Sequence, residues 1–89
     1  MIEKTITIMN RAGLHTRPAA TLVKLAASFK SEFYIFKDGM NINGKSIIGV
    51  MTLAAEQGST LALKFEGEDE VVASNAICEF FEKGFNEQL

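Results

Sequence analysis

The run Glu32-Phe33-Tyr34-Ile35-Phe36-Lys37, dense in aromatic and β-branched residues, is separated only by Asp38-Gly39 from a short returning run, Met40-Asn41-Ile42-Asn43. Aromatic and β-branched residues favour extended backbone, and Asp-Gly between the two runs is a strong signal for a two-residue hairpin. A link this short joins antiparallel strands, whereas a parallel pair needs a crossover of about a dozen residues or more. In 89 residues four short strands cannot each find a helical crossover. The expected sheet is therefore mainly antiparallel, with helices on one face: an α+β two-layer sandwich.

The remaining elements fall around that hairpin. Residues 2 to 8 alternate Ile2, Lys4, Ile6, Ile8 against Glu3, Thr5, Thr7, a period-two strand. Asn10 to Gly13 reads as a loop. Thr16-Arg17-Pro18 then opens a helix, because Ala19, Ala20, Leu22, Val23, Ala26, Ala27 and Phe29 recur at helical steps. Pro18 suits the first turn, where amides lack intrahelical partners. Ser46 is placed to cap a short helix, Ile47 to Ala54, with Ile47, Val50, Met51 and Ala54 on one face. Thr60 to Glu66 is a fourth strand with Leu61, Leu63 and Phe65 on one side. Gly67-Glu68-Asp69-Glu70 leads into a last helix striped by Ala73, Ile77, Phe80 and Phe81, its acidic first turn complementing the helix dipole. The order is βαββαβα over one domain, residues 1–89.

Composition narrows the function. The net charge of −2 offers no basic footprint for nucleic acid. No apolar run of roughly 18 residues is present to span a membrane, and Glu3 interrupts the N-terminal stretch too early for a signal peptide. Cys78 and His15 are the single cysteine and histidine, which excludes a disulfide framework and every Cys/His zinc spacing. Cys78 reads as a small buried apolar residue on the last helix. A reducing cytoplasm is the expected location, with no cofactor and no metal.

Gly39 to Ser46, GMNINGKS, fits the P-loop pattern. That motif needs a buried strand before its first glycine and a helix opening at Gly-Lys-Ser. Here the four intervening residues alternate as a hairpin strand, whose amides are committed sideways and cannot cradle a phosphate. The pattern is a coincidence. What it leaves is Ser46 as a helix cap, a role worth about 1 kcal/mol. A kinase target at that position would also be tolerated, since it would add roughly −1.5 to −2 charge at a helix N-terminus.

His15 lies in GLHTRPA, residues 13 to 19. A lone histidine is commonly structural or merely exposed, but three neighbours point to phosphate. The amides of Thr16 and Arg17 are unpartnered donors of a helix start. Arg17 supplies a planar cation suited to phosphate oxygens, and Gly13 lets the chain turn and expose the ring. A helix N-terminus favours a neutral, nucleophilic imidazole over imidazolium. No carboxylate, metal or second base is visible beside it, so a partner must supply the remaining groups.

GLHTRPA followed by KSIIGVMTLAAEQGS, residues 45 to 59, together with the GEDE entry to the last helix, resembles the histidine-containing phosphocarrier (HPr) family of the bacterial phosphotransferase system. The likeness covers the whole chain. It implies an open-faced β-sandwich of four antiparallel strands under three helices. It further implies that His15 carries phosphate on Nδ1, with Arg17 facing it, taking the group from enzyme I (charged by phosphoenolpyruvate) and passing it to sugar-specific IIA proteins. In many relatives an ATP-dependent kinase/phosphorylase modifies the serine matching Ser46, weakening carrier activity and creating a surface for a catabolite-control transcription regulator. Gly49 and Met51 fit that regulated type; Ile48 and Gly44 depart from its usual pattern.

A carrier must meet several proteins in turn. Thr16, Ala20, Ile47, Ile48 and Met51 are the expected docking patch around His15, Met being adaptable at such surfaces. Adjacent residues cannot both point fully inward, so Ile48 is expected outside and Val50 inside. A rival reading keeps the fold and Ser46 but makes the protein chiefly regulatory; retention of His15 weighs against it. Monomers are expected.

Overall fold

The computed structural model describes residues 1–86 of the chain; the last three residues of the domain expected over 1–89 lie outside the described residues. Strand β1 (Ile2–Thr7) is followed by helix α1 (Thr16–Ala27), strands β2 (Glu32–Lys37) and β3 (Met40–Asn43), helix α2 (Ile47–Thr52), strand β4 (Thr60–Glu66) and helix α3 (Glu70–Glu82). The sheet order is β1-β4-β2-β3, and every pairing is antiparallel. The last strand therefore sits in the middle, between the first and the second. Asp38 and Gly39, at φ 49° and 81°, form the expected two-residue turn, which needs left-handed backbone at both positions.

Alternation along the strands decides which face is covered. Leu61, Leu63 and Phe65 of β4, Phe33 and Ile35 of β2, and Ile6 of β1 point to the helices and are buried. Phe33 and Phe65 stand directly opposite in the β2–β4 register. Their rings stack with centroids 4.9 Å apart and planes 6° from parallel. Ala19, Leu22 and Ala26 bring α1 down onto this layer, and Ala73, Ile77, Phe80 and Phe81 bring α3, each large side chain contributing about 1.5–3 kcal/mol of burial. The opposite face, with Glu3, Thr5 and Ala62, stays exposed.

Four differences from the sequence reading have local causes. β1 ends at Thr7, and Ile8, still buried, instead exchanges backbone hydrogen bonds with the loop before β4: its N–H donates to Ser59 and its carbonyl accepts from Gly58, both at 2.9 Å. α2 stops at Thr52, because Leu53 turns into the core and Ala54 adopts φ 48°. Cys78 is half-buried at the core's edge, its thiol pushed up by burial, with Glu82 adding to the shift and Lys4 opposing it. After α3 a short 3₁₀ turn, Gly84–Asn86, carries Phe85 back with φ 60° onto Phe80 and Phe81, centroids 5.2 and 5.1 Å away.

Asp69 ties the start of α3 to the segment between α1 and β2. Rather than capping its own helix, its carboxylate accepts the amides of Lys30 and Ser31, each at 2.9 Å, and the Ser31 hydroxyl. The Ser31 hydroxyl foremost, and then the Lys30 amide, hold this carboxyl below its ordinary value of 3.8. A carboxylate with a lowered folded-state pKa stabilises above its unfolded value and loses that contribution as pH falls through the folded one. Asp69→Asn should therefore lower the thermal midpoint at pH 7. The gap from wild type should shrink steadily below about pH 4. Thermal melts followed by circular dichroism from pH 7 to 2 measure it; a gap that ignores pH would remove the carboxylate from the explanation.

Candidate functional site

Each residue of the P-loop pattern has a structural task of its own. Gly39 makes the hairpin turn. Residues 40–43 pair with β2 as a strand. Gly44 is glycine because a Cβ there would lie 2.1 Å from the Phe33 ring, while its amide donates to the Phe33 carbonyl at 2.7 Å. Lys45 sends its ammonium to the Phe29 carbonyl at 2.8 Å, and its amide to Asn43 Oδ1 at 2.8 Å. Ser46, half-buried, caps α2 as expected, its hydroxyl accepting from the Gly49 amide at 3.2 Å. No phosphate cradle is formed.

His15 is the N-cap residue of α1, in extended backbone (φ −86°, ψ −170°), and no side chain caps that helix. Its carbonyl accepts the Ala19 amide at 2.9 Å, and its side chain is exposed. Pro18 fills the first turn and is buried, so Thr16 and Arg17 carry the donors at the helix start. Gly13, at φ 70°, presses against the neighbouring loop: a Cβ would lie 2.4 Å from the Ala55 carbonyl oxygen. The Leu14 amide donates to that same oxygen at 2.8 Å. The His15 loop is thus clamped onto the segment leaving α2.

A surface depression of about 370 Å³ results, lined by His15, Thr16, Leu14 and Ala12 on one side and Met51, Ala54, Ala55 and Glu56 on the other. Of the residues singled out in the sequence, it joins His15, Thr16 and Met51. Arg17 and Ala20 are exposed on α1 outside its lining. Ile47, Ile48 and Met51 are 38%, 77% and 44% exposed, whereas Val50 is fully buried. Ile48 and Val50 therefore lie as expected, but Ile47 and Met51 do not share Val50's inward face: a six-residue helix offers the core little more than one residue before it ends. Glu56 corrects the reading that no carboxylate stands near the histidine; only the chain reversal after α2 brings it there. Ala54 was also missed as a strained residue beside the site.

The model of the family described as PTS HPr component phosphorylation site matches residues 2–83. The chain belongs to the HPr family. It is 47% identical over 88 residues to the phosphocarrier protein HPr of Treponema pallidum (strain Nichols), covering 99% of this chain and 100% of that protein. It is also 47% identical over 83 residues to the HPr-like protein Crh of Halalkalibacterium halodurans, covering 93% and 99%. Among solved structures, HPr from Thermoanaerobacter tengcongensis superposes with a TM-score of 0.95 at 44% identity over all of both chains. The open sheet order β1-β4-β2-β3 under three helices is the HPr fold. As an HPr-family member the protein is a phosphocarrier of the phosphotransferase system, not an enzyme. Among the described residues no helix is long and apolar enough to cross a membrane.

Ala54 ends α2 in the left-handed region, where a Cβ is penalised and glycine is the usual residue. Ala54→Gly should stabilise the fold by about 0.5–1 kcal/mol, relief of strain exceeding the extra freedom of glycine in the unfolded chain. Urea unfolding should show a higher midpoint at unchanged slope; a lower midpoint would mean that the strain is absent.

Proposed function

We propose that His15 is the phosphoryl acceptor, taking the group from enzyme I, charged by phosphoenolpyruvate, and surrendering it to sugar-specific IIA proteins. The chain acts throughout its 89 residues as one monomeric domain in the cytoplasm, without cofactor, metal or nucleic acid. The observation that carries this reading is an exposed imidazole at the start of a twelve-residue helix that no side chain caps. The ring nitrogen Nδ1 attacks phosphorus, forming a P–N bond as the bond from phosphorus to the donor breaks. The dianion then meets the Thr16 and Arg17 amides and the positive end of the helix dipole, with Arg17 as mobile cation. Dipole stabilisation of roughly 0.3–2 kcal/mol is small beside a covalent bond. Glu56, on the opposite wall, adds like-charge repulsion that favours departure. The site holds the group without trapping it.

Incubation with labelled phosphoenolpyruvate and enzyme I should give acid-labile label that is absent from His15→Ala. Label that survives this substitution would sink the assignment.

Ser46 is the proposed regulatory site, open to an ATP-dependent kinase/phosphorylase, with the phosphorylated form recognised by a catabolite-control transcription regulator. Its cap hydroxyl faces the α2 amides, where added negative charge is tolerated. The likeness to Crh supports a second reading, a chiefly regulatory protein acting through Ser46. The exposed His15 favours the carrier. Label from ATP and the kinase should be acid-stable and disappear in Ser46→Ala.

Thr16, Ala20, Ile47, Ile48 and Met51 are the proposed docking surface, with Ile48 its most exposed apolar member. Ile48→Asp should weaken binding to enzyme I about tenfold or more, as truncation of a buried interface anchor does. Folding stability should stay within about 0.5 kcal/mol. Titration calorimetry and a thermal melt read the two effects; a matching loss of stability would place Ile48 in the fold instead.

A further inference from the structure

Asn10 is completely buried, and with Ser31 and Ser74 it is one of the buried polar residues of the described chain. Burial of an amide is unfavourable unless it is hydrogen-bonded, so its position calls for a structural reason. Its Nδ2 donates to the Gly13 carbonyl at 2.9 Å, and the Gly13 amide returns a bond to the Asn10 carbonyl at 3.3 Å. The turn from Asn10 to Gly13 is closed by side chain and backbone together.

The consequence falls on the peptide plane joining Gly13 to Leu14. Its carbonyl is held by Asn10 Nδ2, and its N–H by the Ala55 carbonyl at 2.8 Å. These two groups lie on opposite edges of one rigid unit, so the plane cannot rotate without losing both bonds. Leu14 is buried at 4% exposure and anchors the far side. The next residue is His15.

We propose that Asn10 is a positioning residue for phosphoryl transfer. It holds the Gly13–Leu14 peptide and thereby sets where the His15 ring stands relative to the amides that open α1. The proposal rests on His15 being the phosphoryl acceptor. Transfer between two proteins requires the nitrogen, the phosphorus and the leaving group in line, and a misplacement of about 1 Å can cost up to about a hundredfold in rate. Because the docking surface lies on α1 and α2, loss of Asn10 should affect turnover rather than encounter.

The test compares wild type, Asn10→Ala and Phe80→Leu, a core substitution on α3 chosen to reduce stability away from the loop; Asn10→Ser replaces Asn10→Ala if the latter does not fold. Acceptance of phosphate from phosphorylated enzyme I is measured as a function of carrier concentration. Asn10→Ala should lower the maximal rate about tenfold, with the half-saturating concentration changed less than twofold. Amide hydrogen exchange at Leu14 should accelerate in Asn10→Ala beyond the change in global stability, and not in Phe80→Leu. Full transfer rate in the Asn10 variant, or an equal loss in Phe80→Leu, would overturn the proposal. If wild-type protein takes no phosphate on His15, the carrier assignment fails first; exchange at Leu14 then decides the positioning claim separately, and unchanged protection overturns it.

Discussion

The stacked pair Phe33–Phe65 holds the layout of the molecule together. It joins the start of β2 to the end of β4, the strand that enters the sheet last in sequence and centrally in space. Sliding either strand by one residue would turn its own ring to the open face and break the stack. The pair also explains the path of the chain after β3, which passes so near the Phe33 ring that position 44 has no room for a side chain. The chain then starts α2 at Ser46. One aromatic contact thus sets the sheet register, demands a glycine and places the second candidate phosphorylation site.

Where α2 ends, backbone contacts add to side-chain packing. The helix is too short to be stable alone, and it ends where Leu53 enters the core and Ala54 reverses the chain. That reversal presents the Ala55 carbonyl to Leu14 and leaves no space at Gly13. His15 is consequently supported from two directions, by α1, which it opens, and by the loop leaving α2. A rigid base under an exposed ring suits the role proposed for His15.

Much of this was legible in the chain because the signals are local. Asp38-Gly39 after the β-rich run 32–37 is a strong signal for a tight hairpin. Pro18 in a first turn and Ser46 before an apolar step mark helix starts from positions within a turn of themselves. GLHTRPA and KSIIGVM pointed to the HPr family for the same reason: they are contiguous. The adjacent Ile47 and Ile48 showed the limit. Alternation indicated that one must be exposed, but both are, since the depth available to α2 depends on layers built elsewhere.

The element order, the mainly antiparallel sheet, the helix start at Thr16 just after His15 and the Ser46 cap could all be read from the order of residues, because each rests on interactions within a few positions. The assembled fold was needed to show that Glu56 lines the His15 depression, that Ala54 is left-handed, that Asn10 is buried and that Phe85 folds back on α3. It was needed too for the reach of Asp69 to Lys30 and Ser31, 39 and 38 residues away. Those outcomes depend on which distant segments the sheet brings side by side, and no periodicity along the chain encodes the distance between them.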